Sequence, residues 1–365
     1  MPNSTLKVRV PGKLMIAGEF AVLEPYQKLA VMAVDRFVYA RLEESDENRL
    51  SLETFDLYGL AWTYEAGAVR IKTDDTRVQF VENAMSVVYT YLRENNYTPL
   101  NFHLSIRSEL DDASGRKYGL GSSAAAVTSA VFAMLARFLP EKPPETLVFK
   151  LAAVSHVITQ GSGSGADVAA SSYGGWLEYS SFQADWLKEA YKSSASITEL
   201  VQNDWPYFSV EPAQLPEDSY MCIGWTGSPA STSELVGKIS MLKTSSPELY
   251  NDFLTGSKQA VTIFLQGLNT GDSASVLEGI RQNRRALKVL GRNANVAIET
   301  PRLTALCDLA EAYGGAGKPS GAGGGDCGIA FMPSRERADQ LMEAWKREGI
   351  QPLEMRPCMT GASII

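Results

Sequence analysis

Histidine is nearly missing from this chain. His103 and His156 are its only two histidines in 365 residues. Neither lies at metal-site spacing from another candidate ligand, which excludes a histidine-built metal centre and leaves both as structural residues. Cysteine is also sparse: Cys222, Cys307, Cys327 and Cys358 form no CxxC pair. That excludes a zinc ribbon, provides no disulfide framework and predicts reduced thiols. No apolar run approaches the roughly 18 residues of a membrane span. The opening "MPNSTLKVRVPGKL" lacks the basic-then-apolar order of a secretion signal, so a cytoplasmic location is expected. Positive charge is in deficit, with 34 Lys and Arg against 42 Asp and Glu for a formal net charge of −8. Nucleic-acid binding, which neutralises many phosphates with clustered cations, is therefore not expected. An acidic chain that binds a small anion must rely on a few local cations and backbone amides.

Glycine, by contrast, is concentrated where it can hold such an anion. In "KYGLGSSAAAV" (117–127) two glycines and two serines precede a run of small helix formers. A glycine-rich turn entering a helix aims backbone N–H groups and the positive end of the helix dipole at one spot. One of Ser122 and Ser123 is expected to cap the helix. The other hydroxyl could then ligate a Mg²⁺ that bridges two phosphates. Arg116 and Lys117 stand immediately before the loop. The spelling G-L-G-S-S-A fits a dinucleotide pattern, but neither a βαβ repeat nor a suitably placed acid accompanies it, so a Rossmann dehydrogenase is not expected. "AYGGAGKPS" is not a Walker A loop either.

Two further glycine loops follow. "GSGSGADVAASSYGG" carries Asp167, which read in isolation is a helix cap, and "GKPSGAGGGDCGIAF" runs straight into an apolar strand, which disfavours a flexible linker. Lys13, inside the apolar stretch "LMIAGEFAVL" and its neighbours, needs a negative partner such as Asp167, a phosphate or both. Glu19 lies on the same segment. Arg281, Arg284 and Arg285, on the 273–290 helix, read either as a solvated basic face or as cations that reach an acceptor phosphate, and are not assigned to the site.

Strands are expected at 5–10, 31–43 and 101–109, at "YMCIGWTG", after the third loop and at 350–355. Helices are expected at 76–95, 124–138, 145–159, 257–268, 273–290, 303–313 and 334–348. The segment 183–218 reads as mixed and holds the crossing between two halves. Mixed strands and helices in both halves, and a length beyond a single core, predict two α+β domains, set at 1–190 and 191–365.

Together "PGKLMIAGEFAVL" (11–23), "KYGLGSSAAA" (117–126) and "SGAGGGDCGIA" (320–330) resemble, in order and spacing, the three signature motifs of the GHMP kinase superfamily. The flanks "LDDASGRKYGLGSS" and "IGWTGSPAS" are most similar to the bacterial phosphomevalonate kinase group. The resemblance implies an N-terminal ATP-binding domain like ribosomal protein S5 domain 2 and a ferredoxin-like C-terminal domain. It places ATP on Lys117, Gly119, Leu120, Gly121, Ser122, Ser123 and Ala124, with Mg²⁺ near Ser123. Lys13 and Asp167 would be catalytic. Lys13, Glu19, Ser164 and Asp167 would line the acceptor site, and Ser320, Gly321, Ala322 and Gly323 would close over it. The expected reaction is phosphoryl transfer to phosphomevalonate. Mevalonate kinase or another GHMP small-molecule kinase is the alternative, and a silent metabolite sensor is disfavoured because Lys13 and Asp167 are both present. Phe20 departs from the family, whose members often carry Tyr or His there.

Overall fold

The computed structural model describes residues 5–111, 118–228 and 232–365. Alternation in the first strand turns Val8 and Val10 fully inward, and β1 (Leu6–Ala17) pairs antiparallel with β2 (Lys28–Glu44), with the register breaking between Pro11 and Gly12. The chain continues through β3 (Arg49–Leu52), β4 (Leu57–Glu65), β5 (Ala68–Ile71), α1 (Gln79–Glu94), β6 (Phe102–Ser108), α2 (Ser122–Phe138) and α3 (Glu145–Gln160). Then come α4 (Ala166–Tyr173), β7 (Trp176–Ser180), α5 (Ala184–Ser193), α6 (Ile197–Gln202) and β8 (Ser209–Ala213). The second half holds β9 (Tyr220–Trp225), α7 (Thr232–Ser245), α8 (Pro247–Thr270), α9 (Ser273–Asn293), α10 (Pro301–Ala312), β10 (Ala316–Pro319), β11 (Cys327–Met332), α11 (Arg335–Arg347), β12 (Gln351–Pro352) and β13 (Ser363–Ile364).

Among the described residues a nine-stranded sheet runs β13-β1-β2-β6-β3-β4-β5, with β7 and β8 continuing from β2, and a four-stranded sheet runs β10-β11-β9-β12. Helices α2 and α4 pack on β1 and β2, and α9, α10 and α11 cover the smaller sheet. One apolar core passes from Val8 and Val10 through Trp176 to Phe264 and Phe331, so the two halves are joined by buried side chains and not by a linker alone. The segment before β13 doubles back onto the first sheet: the Cys358 N–H donates to the Ala33 carbonyl and the Gly175 N–H to the Cys358 carbonyl. No helix among the described residues is long and apolar enough to cross a membrane.

Several elements differ from the sequence expectations. The second half of "GSGSGADVAASSYGG" is α4 and not loop. Its eight residues are too few to hold a helix unaided; packing does it, with the Ser171 hydroxyl donating to the Pro11 carbonyl at 2.8 Å. The strands between 49 and 71 and the helices α5 and α6 also went unread, while α8 begins at Pro247, a proline suited to the first helical turn.

Arg284 is not part of a solvated face. It is 4% exposed, and its guanidinium meets Glu299 at 2.6 Å, Asp308 at 2.5 Å and Glu311 at 2.8 Å. Burial alone lowers its pKa, but the hydrogen bonds to Glu299 and Asp308 outweigh that and raise it. Arg281 donates to the Gly315 carbonyl at 3.1 Å. Truncation to Arg284→Met leaves the buried Glu299 charge with Lys288, at 3.3 Å, as its remaining ion-pair partner among the described residues and should cost up to about 3–5 kcal/mol in urea unfolding, with turnover per folded molecule unchanged.

The thiols titrate abnormally as well. Burial pushes Cys222 up to about 12 and raises Cys307 and Cys327 further, against a usual value of 9.0. Unfolded thiols ionise near 9 while the folded ones stay protonated, so their contribution is intact below pH 9 and is lost as pH climbs toward 12. Each costs up to about 1.4 kcal/mol per pH unit in that window. Urea midpoints should therefore fall clearly between pH 8 and pH 10.5; unchanged midpoints would contradict thiol burial.

Candidate active site

Lys13 sits on β1, one residue past the register break, and is 8% exposed. Its N–H donates to the Leu120 carbonyl at 2.9 Å, and its ammonium donates to the Gly119 carbonyl at 2.8 Å. The loop comes this close because residue 12 is glycine: a β-carbon there would lie 2.9 Å from the Leu120 oxygen. Gly119 and Gly121 both have φ of 79°, a region that glycine alone enters freely. A β-carbon on Gly121 would stand 3.2 Å from Lys13 Cγ and 3.4 Å from Asp167 Cβ. Gly121 is thus the point where β1, α2 and α4 meet.

The expectation that Ser122 or Ser123 caps α2 is not met. The cap residue is Gly121, without a side-chain cap bond, and both serines lie inside the first turn. A backbone cap of this kind leaves the first-turn amides aimed at an anion. The Ser123 hydroxyl lies 3.2 Å from His156 Nε2, and Leu120 and Ala124 are buried beneath the loop. Arg116 and Lys117 lie outside the described residues.

Helix α4 begins the same way, on Gly165 with φ of 74° and without a side-chain cap. Asp167 is therefore not the cap; it stands in the first turn, where its Oδ1 accepts the Val168 N–H at 3.0 Å. Ser164 accepts the Ala166 N–H on its hydroxyl at 3.3 Å and the Tyr179 hydroxyl on its carbonyl at 2.6 Å. Burial, and then the Asp167 charge, pushes the Tyr179 phenol well above its usual value, so it stays a neutral donor.

Glu19 stands between two left-handed residues, Gly18 at φ 106° and Phe20 at φ 60°. Its Oε1 accepts from the Lys318 ammonium at 2.5 Å and from the Gly321 N–H at 3.3 Å. The sequence reading missed Lys318; its signal was a lysine in a strand, "AGKP", whose four residues are all buried. Phe20 takes no polar role: it packs with Ile239, Leu242 and Tyr250.

The third loop is held to the first loop and to the segment that carries Lys13 and Glu19. The Ser320 hydroxyl donates to the Met15 carbonyl at 2.8 Å. Gly323 lies so near the Ile298 carbonyl that a β-carbon would come within 2.2 Å of it, and Ala322 packs against the Phe20 cluster. Asp326 touches the first loop, since a β-carbon on Gly119 would meet its Oδ2 at 2.8 Å. The Cys327 thiol donates to the Tyr118 carbonyl at 3.2 Å. The three loops, far apart in sequence, form one wall.

Substituting Gly121→Ala strains a φ of 79° and crowds Lys13 and Asp167. It should cost about 1–3 kcal/mol of stability and weaken ATP binding at least tenfold by titration calorimetry. Retained affinity would mean that the phosphates lie elsewhere.

Known proteins bear on this arrangement directly. Residues 80–175 match the GHMP kinases N terminal domain, and residues 264–351 match GHMP kinases C terminal. The chain is 33% identical to a phosphomevalonate kinase of Streptomyces sp. (strain CL190), over 98% of each sequence. A solved Listeria innocua protein superposes with a TM-score of 0.93 at 37% identity, covering 99% of each chain. The Streptococcus pneumoniae phosphomevalonate kinase, solved in complex with phosphomevalonate and AMPPNP, superposes with a TM-score of 0.84 at 26% identity, over 96% of this chain and 99% of that one. With both domain models matched and a relative 33% identical over nearly its whole length, the chain belongs to the GHMP kinases.

Proposed function

We propose that the protein transfers the γ-phosphoryl group of ATP to (R)-5-phosphomevalonate, giving 5-diphosphomevalonate and ADP, a step of the mevalonate route to isoprenoids. The observation that carries this reading is the meeting of Lys13, Asp167 and the uncapped start of α2 at Gly121, supported by the likeness to phosphomevalonate kinases over the whole chain. We assign ATP binding to residues 1–190 and closure over the acceptor to residues 191–365, and place the enzyme in the cytoplasm, where its four buried thiols stay reduced.

Phosphoryl transfer asks for alignment and charge neutralisation more than for covalent help. The amides from Gly119 to Ala124 and the α2 dipole receive the triphosphate, and Lys13 supplies a buried cation at the transferring group. The hydroxyls of Ser122 and Ser123, neither used as a cap, and the Asp167 carboxylate are oxygen donors of the kind Mg²⁺ takes. When bound, the ion neutralises charge on the phosphates. Ser164, Glu19 and the 320–323 backbone face the acceptor. A phosphate monoester has a second pKa of about 6, so its attacking oxygen is already deprotonated at neutral pH. It bonds to the γ-phosphorus as the bond to ADP breaks, and no proton needs removal. Asp167 then positions Lys13 and the substrate instead of acting as a base.

A coupled ADP-release assay should show turnover with phosphomevalonate and little with mevalonate, homoserine or galactose. Asp167→Asn should lower kcat by less than the roughly 10²–10⁴-fold lost with a general base. A loss at the top of that range, with folding and affinity intact, favours an alcohol acceptor such as mevalonate, whose hydroxyl must be deprotonated.

A further inference from the structure

Lys318 is the one cation among the described residues with no exposed surface at all, and the phosphoryl-transfer chemistry above leaves it without a task. Its ammonium makes two contacts, with Glu19 Oε1 and with the Pro319 carbonyl, both at 2.5 Å. Glu19 Oε1 accepts in addition the Gly321 N–H. That oxygen is saturated. Its twin, Glu19 Oε2, is buried and has no hydrogen-bond partner among the described residues. A buried carboxylate oxygen left bare costs about 1–3 kcal/mol or more, and the chain holds this one between two residues in left-handed backbone, Gly18 and Phe20. Backbone strain at Phe20 beside an orphaned acceptor at Glu19 marks a group fixed for a ligand. Beside the pair, Gly321, whose N–H is bonded to the same carboxylate, borders open space, with nothing within 4 Å of the place its β-carbon would take.

We propose that Lys318 is a positioning residue of the phosphoryl-acceptor site, anchoring Oε1 of Glu19 so that Oε2 is presented to a hydroxyl hydrogen of the acceptor. The inference rests on the acceptor-site reading of Glu19 given above. The chemistry of Oε2 restricts what it meets. A carboxylate oxygen only accepts hydrogen bonds, so it repels the carboxylate and phosphate of an anionic acceptor and suits the hydroxyl. Lys318 does a second thing at the same time. It cancels the Glu19 charge inside an acidic protein, so a negatively charged acceptor is not driven off. Because Lys318 opens the third glycine loop and Glu19 lies in the first motif, just past β1, the pair also ties the loop over the acceptor to the strand that carries Lys13.

The test uses the full chain with ATP and acceptor varied separately, in wild type, Lys318→Arg, Glu19→Gln and the double variant Lys318→Met/Glu19→Gln. Wild-type turnover is read first; turnover of a different acceptor overturns the phosphomevalonate reading alone, and the variants are then measured with that acceptor. Lys318→Arg keeps the charge but shifts its donor, and should reduce kcat/KM for the acceptor tenfold or more, with the KM for ATP within twofold and the melting temperature held. The double variant, which buries no unpaired charge, should be within twofold of Glu19→Gln in acceptor kcat/KM. Equal losses toward ATP and acceptor, unchanged kinetics in Lys318→Arg, or a double variant whose loss multiplies well beyond that of Glu19→Gln would overturn the assignment and leave Lys318 a purely structural cation.

Discussion

Lys13 grips the first glycine loop twice, through its amide to Leu120 at 2.9 Å and through its ammonium to Gly119 at 2.8 Å. An ammonium this buried would be costly without partners, and a carbonyl oxygen from the loop supplies one. The same contact fixes where α2 begins, because Gly121 follows directly and must turn left-handed to start the helix. The position of the helix dipole, the direction of its first amides and the site of the nearest cation are therefore one geometric fact. Little reorganisation is left to be done when an anion arrives, which is the condition under which fixed dipoles stabilise charge most.

Around that contact the other loops are pinned by polar groups at short range. Ser320 is bonded to the backbone of β1, Glu19 to Lys318 and Gly321, and Asp326 lies against Gly119. Glycine-rich sequence usually suggests mobility. Here the glycines serve close approach: at Gly12 and Gly323 a single methyl group would collide with a neighbouring backbone, and at Gly121 it would crowd Lys13. The freedom of glycine is used once, to reach the geometry, and is then removed by packing.

Most of the frame was legible in the sequence. The helix α1 follows apolar periodicity and α2 a run that is apolar nearly all round, and the motif loops fall where glycine, serine and charge coincide. What could not be read has a common cause. Helix α4 exists because β1 and β2 offer it a surface, which "ADVAASSY" does not announce. The capping role went to Gly121 and not to a serine because a left-handed glycine and a serine cap compete for one position, and only the three-dimensional approach of Lys13 decides between them. Lys318 was overlooked because its significance lies in Glu19, almost three hundred residues earlier. Arg284 looked solvated because its acidic partners come from the segment after its own helix.

The return of residues 357–364 to the first sheet has a consequence for how this protein is made. β13 pairs Ile364 with Val8 and Ser363 with Arg9, and Gly361 presses against the Ser172 carbonyl so closely that a β-carbon would come within 2.0 Å of it. The helix carrying Asp167 is thus braced by a stretch translated some two hundred residues later. While the ribosome is still working, the earlier half has an open edge on β1 and an unbuttressed α4, the kind of surface that recruits chaperones or other strands.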